Sequence, residues 1–216
     1  MKAFKPNPGA APQIIAVEKV AEADFPSRYG QFRICGFRLP NGASTETAVV
    51  LVKGTPTAGK TPLVRIHSQC LTGDVFASLR CDCREQLEMA LTQVGASDYG
   101  FIIYEAQEGR GIGLMSKLQA YQLQDQGADT VEANRRLGYE ADLRDYALPA
   151  GILQYYGVRA VRLLSNNPDK LRALENCGIS IEERVAIEAP PQQARARYLK
   201  TKQEKLGHIF KALTDE

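Results

Sequence analysis

The sequence lacks the features that mark membrane, secreted and nucleic-acid-binding proteins. No apolar run approaches the ~20 residues that a bilayer-spanning helix needs, and the N-terminal segment MKAFKPNPGAAPQ has no apolar stretch of the kind found in secretory signals. The net charge of the 216 residues is only +2, so bulk electrostatics favours neither nucleic acid nor a membrane surface. We therefore expect no nucleic-acid partner and no membrane partner, and any anion must be bound by local sites.

Internal repeats, low-complexity tracts and linkers are also absent, which favours one continuous globular unit. We predict a disordered tail at residues 1–13 and a single domain at residues 14–216. The five cysteines are an odd number in a chain without a secretory signal. This indicates a reducing compartment rather than a disulfide framework, so we predict a cytoplasmic protein.

What the sequence does contain is a regular alternation of strand and helix patterns. Short runs rich in β-branched residues, such as TAVVLVK, LVRIH and YGFIIYEA, predict strands. Leu87, Leu91 and Val94 recur at the spacing of an amphipathic helix, and Pro168 opens a further helix that ends before Gly178. The pattern predicts an α/β fold with alternating strands and helices around a mostly parallel sheet, preceded by a strand-rich N-terminal portion.

The segment from Gly54 to Thr61 matches the spacing of a phosphate-binding P-loop, G-x-x-x-x-G-K-[ST]. Such a loop works by presenting backbone N–H groups at the start of a helix. Here Pro62 and the strand-like LVRIH follow directly. We therefore interpret the segment as a hairpin loop rather than a nucleotide site.

Three cysteines lie close together in the stretch from Arg65 to Cys83, RIHSQCLTGDVFASLRCDC. Thiolates suit Zn²⁺, and a catalytic zinc has three protein ligands whereas a structural zinc has four. Cys70, Cys81 and Cys83 supply three, and His67 would point away from Cys70 if LVRIH is a strand. Buried inert thiols and a disulfide are the alternatives, but the polar surroundings LRCDCREQ and the reducing compartment argue against them. The spacing favours a zinc site with one open position.

This stretch resembles the metal-binding signature of the GTP cyclohydrolase II family, whose usual form is R-[VI]-H-S-E-C-L-T-G-D followed by C-D-C. Gln69 stands where the family usually has glutamate. The resemblance extends from about Glu18 to about Phe210. It includes QEGR from Gln107 to Arg110, the segment DTVEANRRLGYEADLRDY, and SNNPDK, in which Ser165 replaces the family's threonine.

The resemblance implies an enzyme that hydrolyses GTP at two places, in the first step of riboflavin biosynthesis. A zinc ion, one per subunit, would bind Cys70, Cys81 and Cys83 and activate the water that attacks C8 of guanine, which opens the imidazole ring and releases formate. Mg²⁺, held with the GTP phosphates, would assist loss of pyrophosphate. The expected product is 2,5-diamino-6-(5-phosphoribosylamino)pyrimidin-4(3H)-one, and the family is commonly a homodimer.

The family's functional residues carry over onto positions of this sequence. Tyr121 would assist ring opening, Asp142 would accept a proton, and Arg144 would act at the α-phosphorus. The resemblance implies contacts to GTP from Arg65, Ile66, His67, Ser68, Gln69, Gln86, Glu108, Gly109, Arg110, Thr130, Ser165 and Lys170. Glu108 would read the guanine or ribose region, and Arg110 would contact phosphate.

Without the resemblance, the residues at the proposed catalytic positions can be interpreted as purely structural. Tyr121 shares its helical spacing with Leu114 and Leu118, which is typical of a core aromatic. Asp142 and Arg144 form a surface ion pair in that interpretation. A guanidinium is a poor nucleophile, so two roles for Arg144 stay open: a covalent bond to phosphorus, or a clamp on the α-phosphate.

Two hypotheses from other functional classes compete with GTP hydrolysis. A zinc-dependent nucleobase deaminase also uses three ligands, but its H-x-E and P-C-x-x-C signature is absent. A non-catalytic nucleotide-binding protein stays possible because of Gln69. A relative acting on a different nucleotide, or stopping at a formamido intermediate, is a third hypothesis within the family, and the intact Tyr121, Asp142 and Arg144 argue against it.

Overall fold

The computed structural model describes residues 14–40, 46–55, 59–140, 142–189, 203–204 and 207–209, and the tail predicted at residues 1–13 lies outside these ranges. The described residues form seven strands and six α-helices. The strands are β1 Glu18–Ser27, β2 Gly30–Arg38, β3 Thr47–Lys53, β4 Leu63–Ser68, β5 Gly100–Glu105, β6 Ala160–Leu164 and β7 Ser180–Val185. The helices are α1 Leu71–Asp74, α2 Cys83–Ala96, α3 Leu114–Asp125, α4 Thr130–Arg136, α5 Ala147–Tyr155 and α6 Pro168–Asn176. None of these helices is both long and apolar enough to cross a bilayer.

All seven of these strands join one sheet in the order β1-β2-β3-β5-β4-β6-β7. Neighbours along β1-β2-β3-β5 run antiparallel, and neighbours along β5-β4-β6-β7 run parallel. Parallel neighbours need a crossover connection, and α2 supplies one between β4 and β5 while α6 supplies one between β6 and β7. The predicted α/β fold is confirmed: the alternating portion forms the parallel half, and the strand-rich N-terminal portion extends the same sheet.

Apolar side chains cover both faces of the sheet, because successive residues of a strand point to opposite faces. Phe101 and Ile103 of β5 belong to a buried cluster that includes Leu153 of α5. Ile102, between them, belongs to a second cluster with Val94 of α2. With helices packed on both faces, the carboxyl ends of the parallel strands are the open edge where α/β sheets bind ligands.

The chain after the P-loop-like segment behaves as predicted. β4 begins at Leu63, so no helix follows Thr61. Residues 56–58, inside the segment, lie outside the described ranges. The segment therefore matches a P-loop in spacing but lacks the helix N-terminus that a P-loop uses to bind phosphate.

Candidate active site

Three parallel strands end side by side, and the segments that follow them enclose a cavity. Residues 69–70 follow β4, residues 106–111 follow β5, and residues 165–167 follow β6. Helices α2, α3 and α6 add side chains to the cavity wall. This position, at the carboxyl ends of adjacent parallel strands, is the usual ligand site of an open α/β sheet.

The three cysteines predicted to bind zinc lie together in this wall. Cys70 precedes α1, Cys83 is the first residue of α2, and the three sulfur atoms all lie within 4.8 Å of one another. The Cys70 and Cys81 sulfurs are 3.7 Å apart. Two sulfurs that each lie about 2.3 Å from a tetrahedral zinc are about 3.8 Å apart. Donor type and spacing therefore fit a zinc ion with three thiolate ligands.

His67 does not join the three thiols, in line with the sequence argument. In the described part of the chain no fourth His, Cys, Asp or Glu completes the group. The His67 Nε2 atom lies 3.1 Å from Oδ1 of Asp74 instead. Asp74 also accepts hydrogen bonds from the Cys70 backbone N–H at 3.0 Å and from the Tyr104 hydroxyl at 2.8 Å. The imidazole thus supports the loop that carries Cys70 and does not join the three thiols.

The three sulfur atoms share negative charge unequally. Hydrogen bonds from the thiols of Cys81 and Cys83 lower the pKa of Cys70, and Lys117 adds to that effect. The same interaction with Cys70 raises the pKa of Cys81 to about 11 and also raises the pKa of Cys83. A divalent cation favours the thiolate at all three positions. Metal binding would therefore release protons.

Lys117 of α3 connects the thiols to Glu108. Its Nζ donates to Sγ of Cys70 at 3.2 Å and to Oε1 of Glu108 at 2.7 Å. The Glu108 carboxylate also accepts from the backbone N–H of Leu71 at 2.7 Å and from its neighbour Gly109 at 2.9 Å. A carboxylate with this many donors is held in one place beside the metal ligands.

Buried basic side chains line another part of the cavity. Arg65 donates to the carbonyl of Leu164 at 2.9 Å, and Lys170 donates to the carbonyl of Ile66 at 2.8 Å. Burial lowers the pKa of Arg65 to about 10. Burial, followed by the charges of Arg65 and Arg144, lowers the pKa of Lys170 well below its ordinary value. An anion in the cavity would offset this repulsion, so the site suits phosphate.

A chain of hydrogen bonds links Arg65 to the segment that carries Cys81 and Cys83. Arg65 Nη2 donates to Oε1 of Gln86 at 2.7 Å, and Nε2 of Gln86 donates to Oδ2 of Asp82 at 2.6 Å. Asp82 is buried between Cys81 and Cys83. Gln86 is therefore a buried connector that lines the cavity rather than a solvated surface glutamine.

Arg144 is held by Asp142 at the edge of the cavity. Its Nε donates to Oδ1 of Asp142 at 2.9 Å, and its Nη1 lies 3.4 Å from the Ser68 hydroxyl, which donates to Glu105 at 2.7 Å. The side chains of Arg144 and Asp142 are only 12% and 24% exposed, so this is not a solvated surface pair. Burial raises the pKa of Asp142, but the hydrogen bonds from Arg144 outweigh burial and lower it.

Tyr121 faces the cavity one helical turn after Lys117. Its hydroxyl lies 3.1 Å from Oγ1 of Thr72. Its ring is flanked by the Arg80 guanidinium at 4.8 Å and the Lys117 ammonium at 5.7 Å from the ring centroid. Burial raises the pKa of Tyr121, so the hydroxyl keeps its proton. The structure thus places this side chain in the cavity wall and not in the core that its helical spacing suggested.

The loop after β5 carries two residues in the left-handed backbone region. Gly109 has φ 64° and Arg110 has φ 62°. A side chain at such a position costs on the order of 1 kcal/mol or more, and it persists only where surrounding contacts fix it. Both residues belong to the QEGR motif, from which contacts with the nucleotide were predicted, and both line the cavity.

Most residues expected to contact GTP line the same cavity. From β4 to α2 these are Arg65, His67, Ser68, Gln69 and Gln86. From the later segments they are Glu108, Gly109, Arg110, Thr130, Ser165 and Lys170. Ile66 does not line it, because the side chain belongs to the hydrophobic core and only its carbonyl meets Lys170. Asp142 does not line it either, but its carboxylate contacts Arg144, which does.

Several lining residues were given no role from the sequence, including Arg80, Lys117, Asn134 and His208, and two more, Gln107 and Asn166, were recognised only as parts of the QEGR and SNNPDK motifs. Lys117 had a signal, because it lies four positions before Tyr121 and therefore on the same helix face. His208 lies inside the segment that the resemblance covers, but its place at the site depends on a long-range backbone hydrogen bond of the next residue. The N–H of Ile209 donates to the carbonyl of Asn166 at 3.0 Å.

Comparisons with known proteins agree with the motifs. The sequence model of the GTP cyclohydrolase II family matches residues 18–186. The chain is 50% identical over 194 residues to riboflavin biosynthesis protein RibBA of Phocaeicola vulgatus, and 46% identical over 195 residues to the RibBA of Endomicrobium trichonymphae. Both alignments cover 90% of this chain and 48% of the relative, so the chain spans about half the length of these curated relatives.

One solved structure shows a more distant likeness. It is that of RibBX, a two-domain 3,4-dihydroxy-2-butanone 4-phosphate synthase from A. baumannii. The likeness covers 80% of this chain and 40% of that chain, with a TM-score of 0.46 and 19% sequence identity.

Proposed function

Since the chain belongs to the GTP cyclohydrolase II family, a family of hydrolases that act on cyclic amidines, we propose that it hydrolyses GTP to 2,5-diamino-6-(5-phosphoribosylamino)pyrimidin-4(3H)-one, formate and pyrophosphate. This would be the first step of riboflavin biosynthesis. One observation carries the proposal: the three thiols and the buried cations Arg65 and Lys170 line one cavity. The reaction needs both, since water must be activated at the base while an anion site holds the phosphates.

The zinc ion would be held by Cys70, Cys81 and Cys83. A catalytic zinc keeps one position for water, which agrees with three thiols and no fourth ligand in the described ranges. When bound, the ion would supply the Lewis acidity that activates water for attack at C8 of guanine. The remaining tasks of binding, orientation and proton transfer fall to the side chains around it.

Glu108 and Tyr121 are suited to the guanine end of the substrate. A carboxylate is an acceptor pair for the N1–H and exocyclic amine of guanine, and Glu108 is fixed 2.7 Å from the same ammonium that touches Cys70. Tyr121 keeps its hydroxyl proton and lies beside the thiol segment through Thr72. We assign Glu108 to base recognition and Tyr121 to proton transfer during ring opening.

The basic side chains are suited to the phosphate end. Lys170 and Arg110 would bind phosphate oxygens, and Mg²⁺ would offset the remaining negative charge of the phosphates. We assign Arg144 the role of a clamp on the α-phosphate rather than a nucleophile, because a guanidinium does not deprotonate. Asp142, whose pKa is lowered by Arg144, would serve as the counter-ion that orients the clamp.

We also propose a homodimer, supported by apolar side chains that the described part of the chain leaves exposed. Val75, Phe76 and Leu79 are 59%, 71% and 63% exposed on the segment after α1, and Met115 of α3 is 66% exposed. Exposed apolar groups of this kind mark association surfaces. Phe76→Asp should shift the species measured by light scattering from dimer to monomer, and a wild-type protein that is monomeric at all concentrations would contradict the proposal.

A cytoplasmic location is proposed on the basis of thiol chemistry. All five cysteines are free, and three of them must stay reduced to bind a metal. Reducing compartments preserve such thiols.

The proposed reaction is tested by measuring both small products in one assay. Zinc-loaded protein is incubated with Mg²⁺ and GTP, and formate and pyrophosphate are followed together. Equimolar release is the expected result. Cys81→Ser should lose formate release by at least about 100-fold, because the substitution removes one of the three ligands of the catalytic metal. Cys177→Ala, a buried cysteine outside the cluster, is the matched control and should retain formate release.

Two outcomes would contradict the proposal. Pyrophosphate without formate from fully zinc-loaded protein would show that no ring chemistry takes place. Bound GTP with neither product would indicate a binding protein or a different substrate.

A further inference from the structure

Lys117 has a buried ammonium group that touches both Cys70, one of the proposed metal ligands, and Glu108, the carboxylate assigned to base recognition. Its side chain is 12% exposed, and that of its partner Glu108 is 8% exposed. The two hydrogen bonds of Nζ, to Cys70 Sγ at 3.2 Å and to Glu108 Oε1 at 2.7 Å, account for two of its three N–H donors. No role assigned above to the metal, the base or the phosphates includes this residue.

The zinc-loaded site would carry excess negative charge beside Lys117. Three thiolates and a divalent ion together carry one net negative charge, and the Glu108 carboxylate carries another. Buried charge of one sign is costly unless it is paired and hydrogen-bonded. Lys117 places one positive charge in direct contact with both groups. A donor on a metal-bound sulfur also orients that sulfur and takes up part of its charge.

The backbone completes the link between the two groups. Leu71, the residue after Cys70, donates its N–H to Oε2 of Glu108 at 2.7 Å, while Lys117 donates to Oε1. Cys70 and Glu108 are therefore joined by two routes, through the ammonium and through an adjacent amide. A shift of either group would be transmitted to the other.

We propose that Lys117 is a positioning residue that couples the metal centre to nucleotide recognition. By its two hydrogen bonds it strengthens metal binding at Cys70 and fixes Glu108 in the orientation that accepts the guanine edge. The nucleotide half of this inference rests on the proposed function, whereas the metal half does not. The two halves are therefore measured separately.

The metal half is tested by zinc affinity in the absence of nucleotide. A chromophoric chelator competes for Zn²⁺ with wild type, Lys117→Met, Lys117→Gln and Lys117→Arg. Loss of the ammonium in Lys117→Met should weaken zinc binding by on the order of 10- to 100-fold. Lys117→Arg keeps the charge and should recover most of the loss. Lys60→Met, which removes an exposed ammonium paired with Asp98, is the matched control and should leave zinc affinity unchanged.

The nucleotide half is tested by steady-state kinetics at saturating zinc. Lys117→Met should raise KM for GTP by at least about tenfold while kcat falls less, because a displaced Glu108 weakens base recognition before it affects chemistry. A residue that only stabilised the fold would lower the amount of active enzyme and leave KM unchanged. Lys117→Arg should return KM toward the wild-type value.

The zinc titration and the kinetic measurement can fail independently of each other. If the wild-type protein does not turn over GTP, the chelator titration still decides the metal half, because it contains no nucleotide. A zinc affinity of Lys117→Met within twofold of wild type would overturn the proposal. Equal weakening in Lys117→Met and Lys117→Arg would overturn the role of the charge. Circular dichroism confirms folding, and Lys117→Gln, which retains an N–H donor, replaces Lys117→Met if that variant does not fold.

Discussion

A methyl group on Gly73 would lie 2.8 Å from the sulfur of Cys81 and 3.1 Å from the sulfur of Cys70. Gly73 is buried in the single turn of α1, and in the sequence it lies between Cys70 and Cys81. Contacts below 3.0 Å force neighbouring atoms to move, so only a residue without Cβ lets these sulfurs converge. The missing side chain at position 73 is therefore a requirement for the close approach of these sulfurs.

Gly73→Ala should weaken zinc binding by at least about tenfold, because the added methyl pushes the Cys81 sulfur out of position. The strain should also lower the free energy of unfolding by roughly 1–3 kcal/mol. Chelator competition measures the first effect and urea denaturation the second. Gly36→Ala is the control, since a Cβ there meets nothing within 4 Å. Unchanged zinc affinity in Gly73→Ala would show that the sulfurs bind metal in another arrangement.

Asp74→Asn should destabilise the fold by roughly 2–4 kcal/mol. The carboxylate accepts from His67, the Cys70 N–H and the Tyr104 hydroxyl, and an amide leaves at least one of these buried donors unpaired. Urea denaturation of zinc-loaded protein measures the change. Asp98→Asn, at an exposed pair with Lys60, should change stability by less than about 0.5 kcal/mol. Equal effects of the two substitutions would contradict this account.

His67 should make the fold less stable as the pH falls. Burial lowers its pKa, and the charge of Arg65 acts in the same direction while Asp74 opposes it. Below the ordinary value of about 6.5 the unfolded chain therefore binds more protons than the folded one. This group should remove up to about 1.4 kcal/mol of unfolding free energy per pH unit, from about pH 6.5 down to its folded pKa. Urea denaturation between about pH 8 and 5 should show a shallower decline for His67→Gln, and parallel profiles would contradict the prediction.

Arg144→Lys should slow pyrophosphate release by at least about 100-fold, because an ammonium cannot reproduce the planar guanidinium that both Asp142 and a phosphate oxygen require. Asp142→Asn should have a smaller effect, since it weakens the orientation of Arg144 but leaves its charge. Single-turnover measurements of pyrophosphate follow both variants. Arg172→Lys, at a side chain that is 66% exposed, should retain full activity. A larger loss in Asp142→Asn than in Arg144→Lys would favour a proton-accepting role for Asp142.

Gln69→Glu should change turnover by less than about threefold and stability by less than about 0.5 kcal/mol. The backbone N–H of Gln69 donates to the carbonyl of Glu105 at 2.9 Å and continues the register of β4. The substitution leaves that bond intact. Formate release and urea denaturation are the measurements. A change in turnover of tenfold or more would show that the glutamine side chain sets rate or substrate choice.

The features that could be predicted from the sequence are those with a local signature. The thiol cluster follows from the spacing of Cys70, Cys81 and Cys83, and the parallel half of the sheet follows from alternating strand and helix patterns. Both are decided by residues close together in the chain. Ile66 shows the limit of a motif, because strand alternation places its side chain in the core although its neighbours line the cavity.

The roles of other residues could not be predicted, because they depend on what covers each side chain. Lys117 has the sequence context of a solvated helical lysine, and only its tertiary contacts with Cys70 and Glu108 bury its ammonium. Tyr121 fits a core stripe by spacing, yet its helix borders a cavity. Gly73 belongs to the C-L-T-G-D part of the family signature, but the physical need for a missing Cβ appears only when the three sulfurs are placed in space.

The two parts of the site depend on different amounts of folded structure. All three thiols lie within residues 70–83, whereas the anion site takes Arg65 from β4 and Lys170 from the start of α6, after β6 has docked beside β4. Loop-closure entropy grows with the length of chain enclosed, so bringing the three thiols together costs less than bringing Arg65 and Lys170 together, which requires β6 to pair with β4. We therefore expect a partly folded preparation to retain some zinc, held more weakly without Lys117, whereas its affinity for a nucleotide anion should be lost until the sheet is assembled.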